Sequence, residues 1–317
     1  MSTQRVTPDT EFRLSSGKAV ATVSPYGASL RGMWLANHEI VTGYTGAQAK
    51  LGGQGDILIP FPGRVGGAAY TFEGERHQLE INDKDGPNAI HGFVRTLIWN
   101  VVTLESNRAV FECALDGAHG YPFTLTIVVE YSLAGTDTDA SLTCRCTVTN
   151  TGNITAPAAA GFHPYFAAGG LIDDCTVHIP MEGYLDFVNL IPTGRVIDTA
   201  GTELDFREPH SIGTTKFNTC YVNPIKDEEG CTRFRLVRPD GISTTVWMDS
   251  SLDYVVVYSG DPLPESHRRR SLAIEPMSCG SDAFNNPEWG LWSLAPGESR
   301  TVIWGAQAEI TAQGNSK

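Results

Sequence analysis

The stretch Ser141-Leu142-Thr143-Cys144-Arg145-Cys146-Thr147-Val148-Thr149 alternates residue by residue, with Leu142, Cys144, Cys146 and Val148 set against Thr143, Arg145 and Thr147. Successive side chains of a strand point to opposite faces, so the pattern predicts a strand with both thiols on its inner side. Read as a C-x-C metal pair, the same cysteines lack a second pair at zinc-like spacing, and burial explains them better. Working outward, period two returns in residues 109–115, 124–133, 233–237, 243–248, 254–258 and 301–306, all rich in Val, Ile, Thr and aromatics. Thirty-three glycines and 18 prolines cut the chain into short pieces. Ser16-Gly17, Asn37-His38 and Glu73-Gly74 carry turn chemistry. No stretch keeps a 3.6-residue apolar period long enough for a substantial helix. The expectation is an all-β chain of broad, stacked antiparallel sheets, closed or nearly so, in a single domain over residues 1–317. There is no internal repeat and no low-complexity linker, and Arg268-Arg269-Arg270 reads as a solvated loop.

Composition narrows the function. Of the 317 residues, 41% are hydrophobic, enough for a full core without disulfides. Twenty-three basic residues face 36 acidic ones, a formal net charge of −13 that repels nucleic acid and anionic membrane surfaces. A strongly anionic substrate would need a local basic pocket; a neutral one would not. No apolar run is long enough for a membrane span, and residues 1–10 are polar, without the pattern of a secretory signal. Seven scattered cysteines, an odd count, argue against a disulfide framework and fit a reducing cytosol. A soluble cytoplasmic protein with a small-molecule partner is expected, and composition leaves its oligomeric state open.

Four islands place polar or ionisable groups where a strand-rich chain should turn or bury itself. In Pro60-Phe61-Pro62-Gly63-Arg64, prolines and glycine fix the backbone, so Arg64 leaves a rigid turn and offers a planar fork of donors. In Asn88-Ala89-Ile90-His91-Gly92, the glycine after His91 lets another group approach the backbone closely. In Gly161-Phe162-His163-Pro164-Tyr165-Phe166, Pro164 holds His163 extended and the flanking aromatics offer a wall for the C–H face of a sugar. An imidazole is the natural proton shuttle near neutral pH. In Leu272-Ala273-Ile274-Glu275-Pro276, a carboxylate ends an apolar strand, which is costly unless it is paired or used. The blander alternatives are a surface arginine, packed histidines, and a Glu275 salt bridge to the nearby arginine run.

Together and in this order, the islands resemble the aldose 1-epimerase family of galactose mutarotase-like β-sandwich proteins, over residues 12–308. The most specific pieces are the Arg64 turn with Gly-Gly-x-x-Tyr-Thr-Phe-x-Gly behind it, Asn88-x-x-His91-Gly92, His163-Pro164-Tyr165-Phe166 and Glu275-Pro276. The resemblance implies a supersandwich with an open sugar cleft. It implies that Glu275 takes the anomeric hydroxyl proton while His163 protonates the ring oxygen, and that Arg64, His91 and Tyr165 contact the sugar. The family aspartate before a later aromatic is here Asn218, in Phe217-Asn218-Thr219-Cys220-Tyr221, which bears on substrate preference. Such ring opening needs one acid and one base, and no metal or other cofactor is expected; no P-loop or dinucleotide fingerprint is present.

Three rivals stand beside this reading. His91-Gly92-Phe93-Val94-Arg95 with Trp99 is similar to the hexose-6-phosphate mutarotase branch, where arginines receive the phosphate. A carbohydrate-binding or sensing protein could use the same sandwich. A glycoside hydrolase would need a second carboxylate facing Glu275, with Asp249 and Asp253 as candidates.

Overall fold

Tyr121–Gly135 is a 15-residue strand, and its alternation is complete: Tyr121, Phe123, Leu125, Ile127, Val129, Tyr131 and Leu133 are buried, and the residues between them are not. It pairs antiparallel with Arg108–Ala118 on one side and Asp139–Asn150 on the other. Within Asp139–Asn150, Cys144 and Cys146 are fully buried on the inner face, as the alternation predicts. The computed structural model describes residues 6–310. The polar N-terminal stretch is thus described only from residue 6, and the expected domain limits of 1 and 317 lie outside the described residues.

These strands belong to a nine-stranded antiparallel sheet in the order Asn100–Leu104, Arg108–Ala118, Tyr121–Gly135, Asp139–Asn150, Ser299–Ile310, Ile242–Met248, Thr232–Val237, Thr176–His178, His210–Ser211. A twelve-stranded sheet carries, along its main path, Phe12–Ser16, Ala19–Val23, Leu30–Leu35, His38–Val41, Tyr165–Ala167, Ser271–Met277, Tyr254–Tyr258, Asn218–Pro224, Met181–Val188 and Ile191–Asp198. One apolar cluster joins the two: Leu14, Met33, Leu272 and Ile274 from the larger sheet meet Ile127, Val129, Leu142 and Trp304 from the smaller. Each such side chain contributes about 1.5–3 kcal/mol relative to exposure. Polar ties cross the same layer, such as the Tyr131 hydroxyl donating to the Ala28 carbonyl at 2.9 Å. Among the described residues the helical segments are three-residue 3-10 turns, and no helix is long and apolar enough to cross a membrane.

The arginine run departs from expectation. Arg268 and Arg270 are exposed, but Arg269 is drawn in: its guanidinium bonds Asp173 at 2.7 Å and Asp261 at 3.3 Å and donates to the Gly213 and Thr215 carbonyls. It staples the loop before Ser271–Met277 and leaves Glu275 without an arginine partner from that run.

Ser271–Met277 is buried at every position. Leu272 and Ile274 face the core between the sheets. Alternation therefore turns Ala273, Glu275 and Met277 to the opposite, outer face, which loops cover in place of a third sheet. That covered outer face carries the site.

Candidate active site

Two short strands flank His163, and both pair with the Glu275 strand. Gly161 lies opposite Met277, and Tyr165 lies opposite Ala273. The same register carried across the gap sets His163 opposite Glu275. The ladder breaks there because Pro164 and Pro276 cannot donate. His163 instead sends its backbone N–H to the Asp56 carbonyl at 3.0 Å, and its own carbonyl accepts from Gly55 N–H at 2.9 Å. The outcome is a side-chain pair in which His163 Nε2 lies 3.4 Å from Glu275 Oε1, both residues no more than 5% exposed.

Burial dominates the electrostatics of this pair. It lifts the Glu275 carboxyl well above the usual carboxylate range, against the pull of the Arg64 charge. It pushes the His163 imidazole down to about 3, with Arg95 and Lys50 acting in the same direction. Both shifts favour the uncharged forms, a protonated carboxyl facing a neutral imidazole. Among the described residues no lysine or arginine forms an ion pair with Glu275, as a structural salt bridge would require.

Arg64 and His91 arrive on a second small ladder, Arg64–Val65 against Ala89–Ile90, with Arg64 opposite Ile90. Arg64 Nε donates to Asp83 Oδ2 at 2.7 Å. Burial alone would raise Asp83, but hydrogen bonds from Arg64 and from Asn88 Nδ2, at 3.0 Å, hold it below its ordinary value. His91 lies edge-on to His163 with ring centroids 5.5 Å apart. Burial, then the neighbouring His163, Arg95 and Arg64, keep it well below an ordinary imidazole pKa. The glycine after it is required: at Gly92 (φ +66°) a Cβ would stand 2.0 Å from the Ile59 carbonyl oxygen.

Arg64, His91, Asn218, His163 and Glu275 all line one cleft of about 990 Å³. Asn218 opens the strand Asn218–Pro224, pairs with Tyr258, and is exposed to the cleft. Tyr165 takes a different place from the one expected. It is buried behind His163, its ring stacked on the imidazole, and its hydroxyl donates to the Gly52 carbonyl. Phe162 turns into the core against Trp304, so the aromatics flanking His163 form its backing and not a wall of the cleft. The aromatic cleft residues are Tyr258 and Phe187.

Sequence reading also passed over Lys50 and Asp56. Asp56 is buried and holds two of the four cationic side chains that line the cleft, Lys50 at 2.7 Å and Arg95 at 3.3 Å; Arg64 and Lys84 are the others. The glycine-rich Gly52-Gly53-Gln54-Gly55-Asp56 ahead of an apolar run was its available signal. Asp249 and Asp253 are engaged elsewhere, with Ser251 and Lys226, and neither lines the cleft.

Known proteins resemble this chain in sequence and in fold. A family model described as aldose 1-epimerase matches residues 10–304. The chain belongs to the aldose 1-epimerase family. This aldose 1-epimerase family member is 28% identical to the Escherichia coli K12 protein YihR over 86% of this chain and 85% of that one. It is 25% identical to the galactose mutarotase of Bos taurus, over 91% and 90% of the two chains. Among solved structures, the GalM/aldose epimerase homologue from C. elegans superposes with a TM-score of 0.83 at 17% identity, covering 96% of this chain and 99% of that one. The galactose 1-epimerase of Lactobacillus acidophilus superposes with a TM-score of 0.79 at 17% identity, covering 95% of each. These structures share the β-sandwich fold.

Proposed function

We propose that this family member interconverts the α and β anomers of a free aldose, with Glu275 and His163 as the proton-transfer pair. The observation that carries this reading is the 3.4 Å contact between a buried carboxyl and a buried imidazole at the floor of a polar cleft. Glu275 takes the proton of the anomeric hydroxyl, and the freed electron pair forms the C1=O1 double bond. The C1–O5 bond breaks, and O5 receives a proton from His163 Nε2. Rotation about C1–C2 exposes the other face of the aldehyde, and the reverse transfers close the ring. The step starts from the carboxylate–imidazolium arrangement, reached by moving the one proton of the neutral pair across 3.4 Å; the charge of Arg64 favours that carboxylate. Arg64, His91 and Asn218 offer donors and acceptors to the sugar oxygens. Proton transfer alone completes the reaction, so the reading calls for no cofactor. Seven free cysteines, all buried but Cys231, fit a reducing, cytoplasmic setting.

A hexose 6-phosphate is the second reading, favoured by Lys50 and Arg95 in the cleft. Asp56 already holds Lys50 and Arg95, and Asp83 holds Arg64, which supports the uncharged sugar; Lys84 is the cleft cation left over. The deciding experiment adds single anomers of glucose, galactose and glucose 6-phosphate and follows optical rotation above the spontaneous rate. Catalysis of a free hexose with the highest kcat/KM is expected. No catalysis of any aldose would reduce the protein to a sugar binder.

A further inference from the structure

Three aspartates of the chain are followed directly by glycine: Asp85-Gly86, Asp116-Gly117 and Asp240-Gly241. In such a pair the glycine nitrogen can attack the aspartate side-chain carboxyl, because no Cβ shields it and its backbone turns freely. Local structure decides which pair does so. Asp116 and Gly117 lie inside the strand Arg108–Ala118, with Asp116 opposite Thr124 and Ala118 opposite Tyr121. Asp240 is held by the Arg238 guanidinium, whose Nε donates at 3.0 Å, and the Gly241 N–H donates to the Arg238 carbonyl at 3.1 Å. Asp85 differs on every count. It sits in an irregular loop ahead of Ala89–Ile90, and its side chain is 72% exposed. Arg64 Nη2 stands 3.8 Å from its carboxylate, beyond hydrogen-bond range. Among the described residues neither that carboxylate nor the Gly86 N–H has a hydrogen-bond partner.

The same loop holds the cleft arginine. The Asp85 N–H donates to Asp83 Oδ1 at 3.1 Å, and Asn88 Nδ2 donates to Asp83 Oδ2 at 3.0 Å. The Asn88 carbonyl accepts the Asn82 and Asp83 N–H groups at 3.2 and 3.1 Å. Residues 83–88 are thus a loop pinned to itself at both ends, and Asp83 is the carboxylate that receives Arg64 Nε. The unbonded pair lies in the middle of it.

We propose that Asp85-Gly86 is a self-modification site, where the backbone isomerises through a cyclic imide to isoaspartate and slackens the Asp83 clamp on Arg64. The Gly86 nitrogen gives up its proton and bonds to Asp85 Cγ, a Cγ–O bond breaks, and one water leaves. Water then reopens the five-membered ring. Cleavage at Cγ restores aspartate. Cleavage at the Asp85 backbone carbonyl leaves Gly86 attached through Cγ and frees the former carbonyl as a carboxylate. No electrons are exchanged, and the water lost is regained. The product has the parent's mass but one more carbon in its backbone, about 1.5 Å of extra chain between two pinned ends. A misplacement of about 1 Å can cost about 10²-fold in rate, so slack at Asp83 passes to the cleft through Arg64. The effect on turnover rests on the aldose 1-epimerase reading above; the isomerisation does not.

The test keeps the purified protein warm at neutral pH for several weeks. Isoaspartate is then labelled with a protein isoaspartate methyltransferase and a radioactive methyl donor, and peptide mapping places the label. Position 85 is expected to carry several-fold more than position 116 or 240. Asp85→Asn, which reaches the same imide by losing ammonia, should accumulate label faster, and Asp85→Glu should show none there. The Gly67 N–H donates to Asn88 Oδ1 at 3.1 Å, and its hydrogen exchange should quicken in the converted protein, a reading that needs no substrate. By polarimetry, kcat/KM for a free hexose should fall several-fold on conversion and recover when the methyltransferase returns isoaspartate to the imide. Equal label at 116 or 240, or none at 85, overturns the site. Full conversion with exchange at Gly67 and kcat/KM both unchanged overturns the slackened clamp. Fresh protein that anomerises no aldose removes the epimerase reading instead, while the label and the exchange still decide the modification.

Discussion

The Tyr165 ring lies 10° from parallel with the His163 imidazole, centroids 5.0 Å apart, while its hydroxyl donates to the Gly52 carbonyl at 2.7 Å. On another side of the imidazole sits Gly53 (φ +79°), where a Cβ would come 2.9 Å from His163 Cδ2. Among the described residues, His163 Nδ1 has no hydrogen-bond partner. The ring is thus aimed at Glu275 by packing between an aromatic and a turn. Gly53→Ala should displace it and lower kcat at least tenfold with little change in KM. Tyr165→Phe keeps the stack and leaves the Gly52 carbonyl to water, at a cost of about 1 kcal/mol of stability and less than threefold in kcat. Steady-state anomerisation and thermal melts check both.

On the proposed mechanism, Glu275→Gln removes the base without changing shape, and His163→Asn removes the shuttle. Each is expected to lower kcat by about 10²–10⁴ in a folded protein. The double variant should fall little further than the worse single one, because the two groups act as a unit. Additive losses would mean that they serve separate steps.

The pH dependence follows from burial. The active pair holds one proton, gains a second only as pH falls towards about 3, and loses its last only well above the carboxylate range. The kcat/KM profile for the enzyme, corrected for spontaneous anomerisation, should therefore show an acid-side inflection towards about pH 3 from His163 and a second one above the ordinary carboxylate range from Glu275. In Glu275→Gln the second inflection should disappear; an inflection near pH 6.5 that persists in that variant would report a solvated histidine.

Stability carries the same signature. The folded-state pKa of Glu275 is raised above the unfolded value, so its contribution is full below the unfolded pKa and is lost as pH rises towards the folded one. Glutamine cannot ionise. The melting temperature of Glu275→Gln relative to the parent protein should therefore rise between pH 5 and pH 8. His163 is depressed, and its contribution is lost as pH falls from 6.5 towards about 3. The advantage of His163→Asn should accordingly grow as the buffer is acidified.

Asn218 faces the cleft two strands from Glu275. A carboxylate there would accept a charge-assisted bond worth about 1.5–3 kcal/mol against roughly 0.5–1.5 for the amide. Asn218→Asp is expected to lower KM about tenfold for one of the gluco- and galacto-configured epimers at unchanged kcat. A KM that stays flat for every aldose removes Asn218 from the contact set.

The strands were legible because one face of each is wet: residues 141–149 and 124–133 declare themselves by alternation alone. Ser271–Met277 does not, since loops cover its second face, and only its odd carboxylate betrays it. His163 and Glu275 were found as costly groups beside prolines, which a local reading can see. Their pairing rests on a register set 112 positions apart in the chain, which it cannot. Tyr165 was misplaced for a related reason: a short motif says which residues are neighbours, not which side of the histidine each one takes. Asp56 and Asp83 escaped because the arginines they hold, Arg95 and Arg64, lie 39 and 19 positions away in the chain.

The floor and the walls of the cleft have different mechanical origins. Glu275 stands on a strand bonded to neighbours on both sides, whereas the outer wall comes from turns, residues 82–85, 189–190 and the stretch around Pro262. On the proposed reading, proton transfer belongs to the frame and selectivity to the turns above it. If that reading holds, transplanting those three turns between such sandwiches should change sugar preference and leave the Glu275 strand undisturbed.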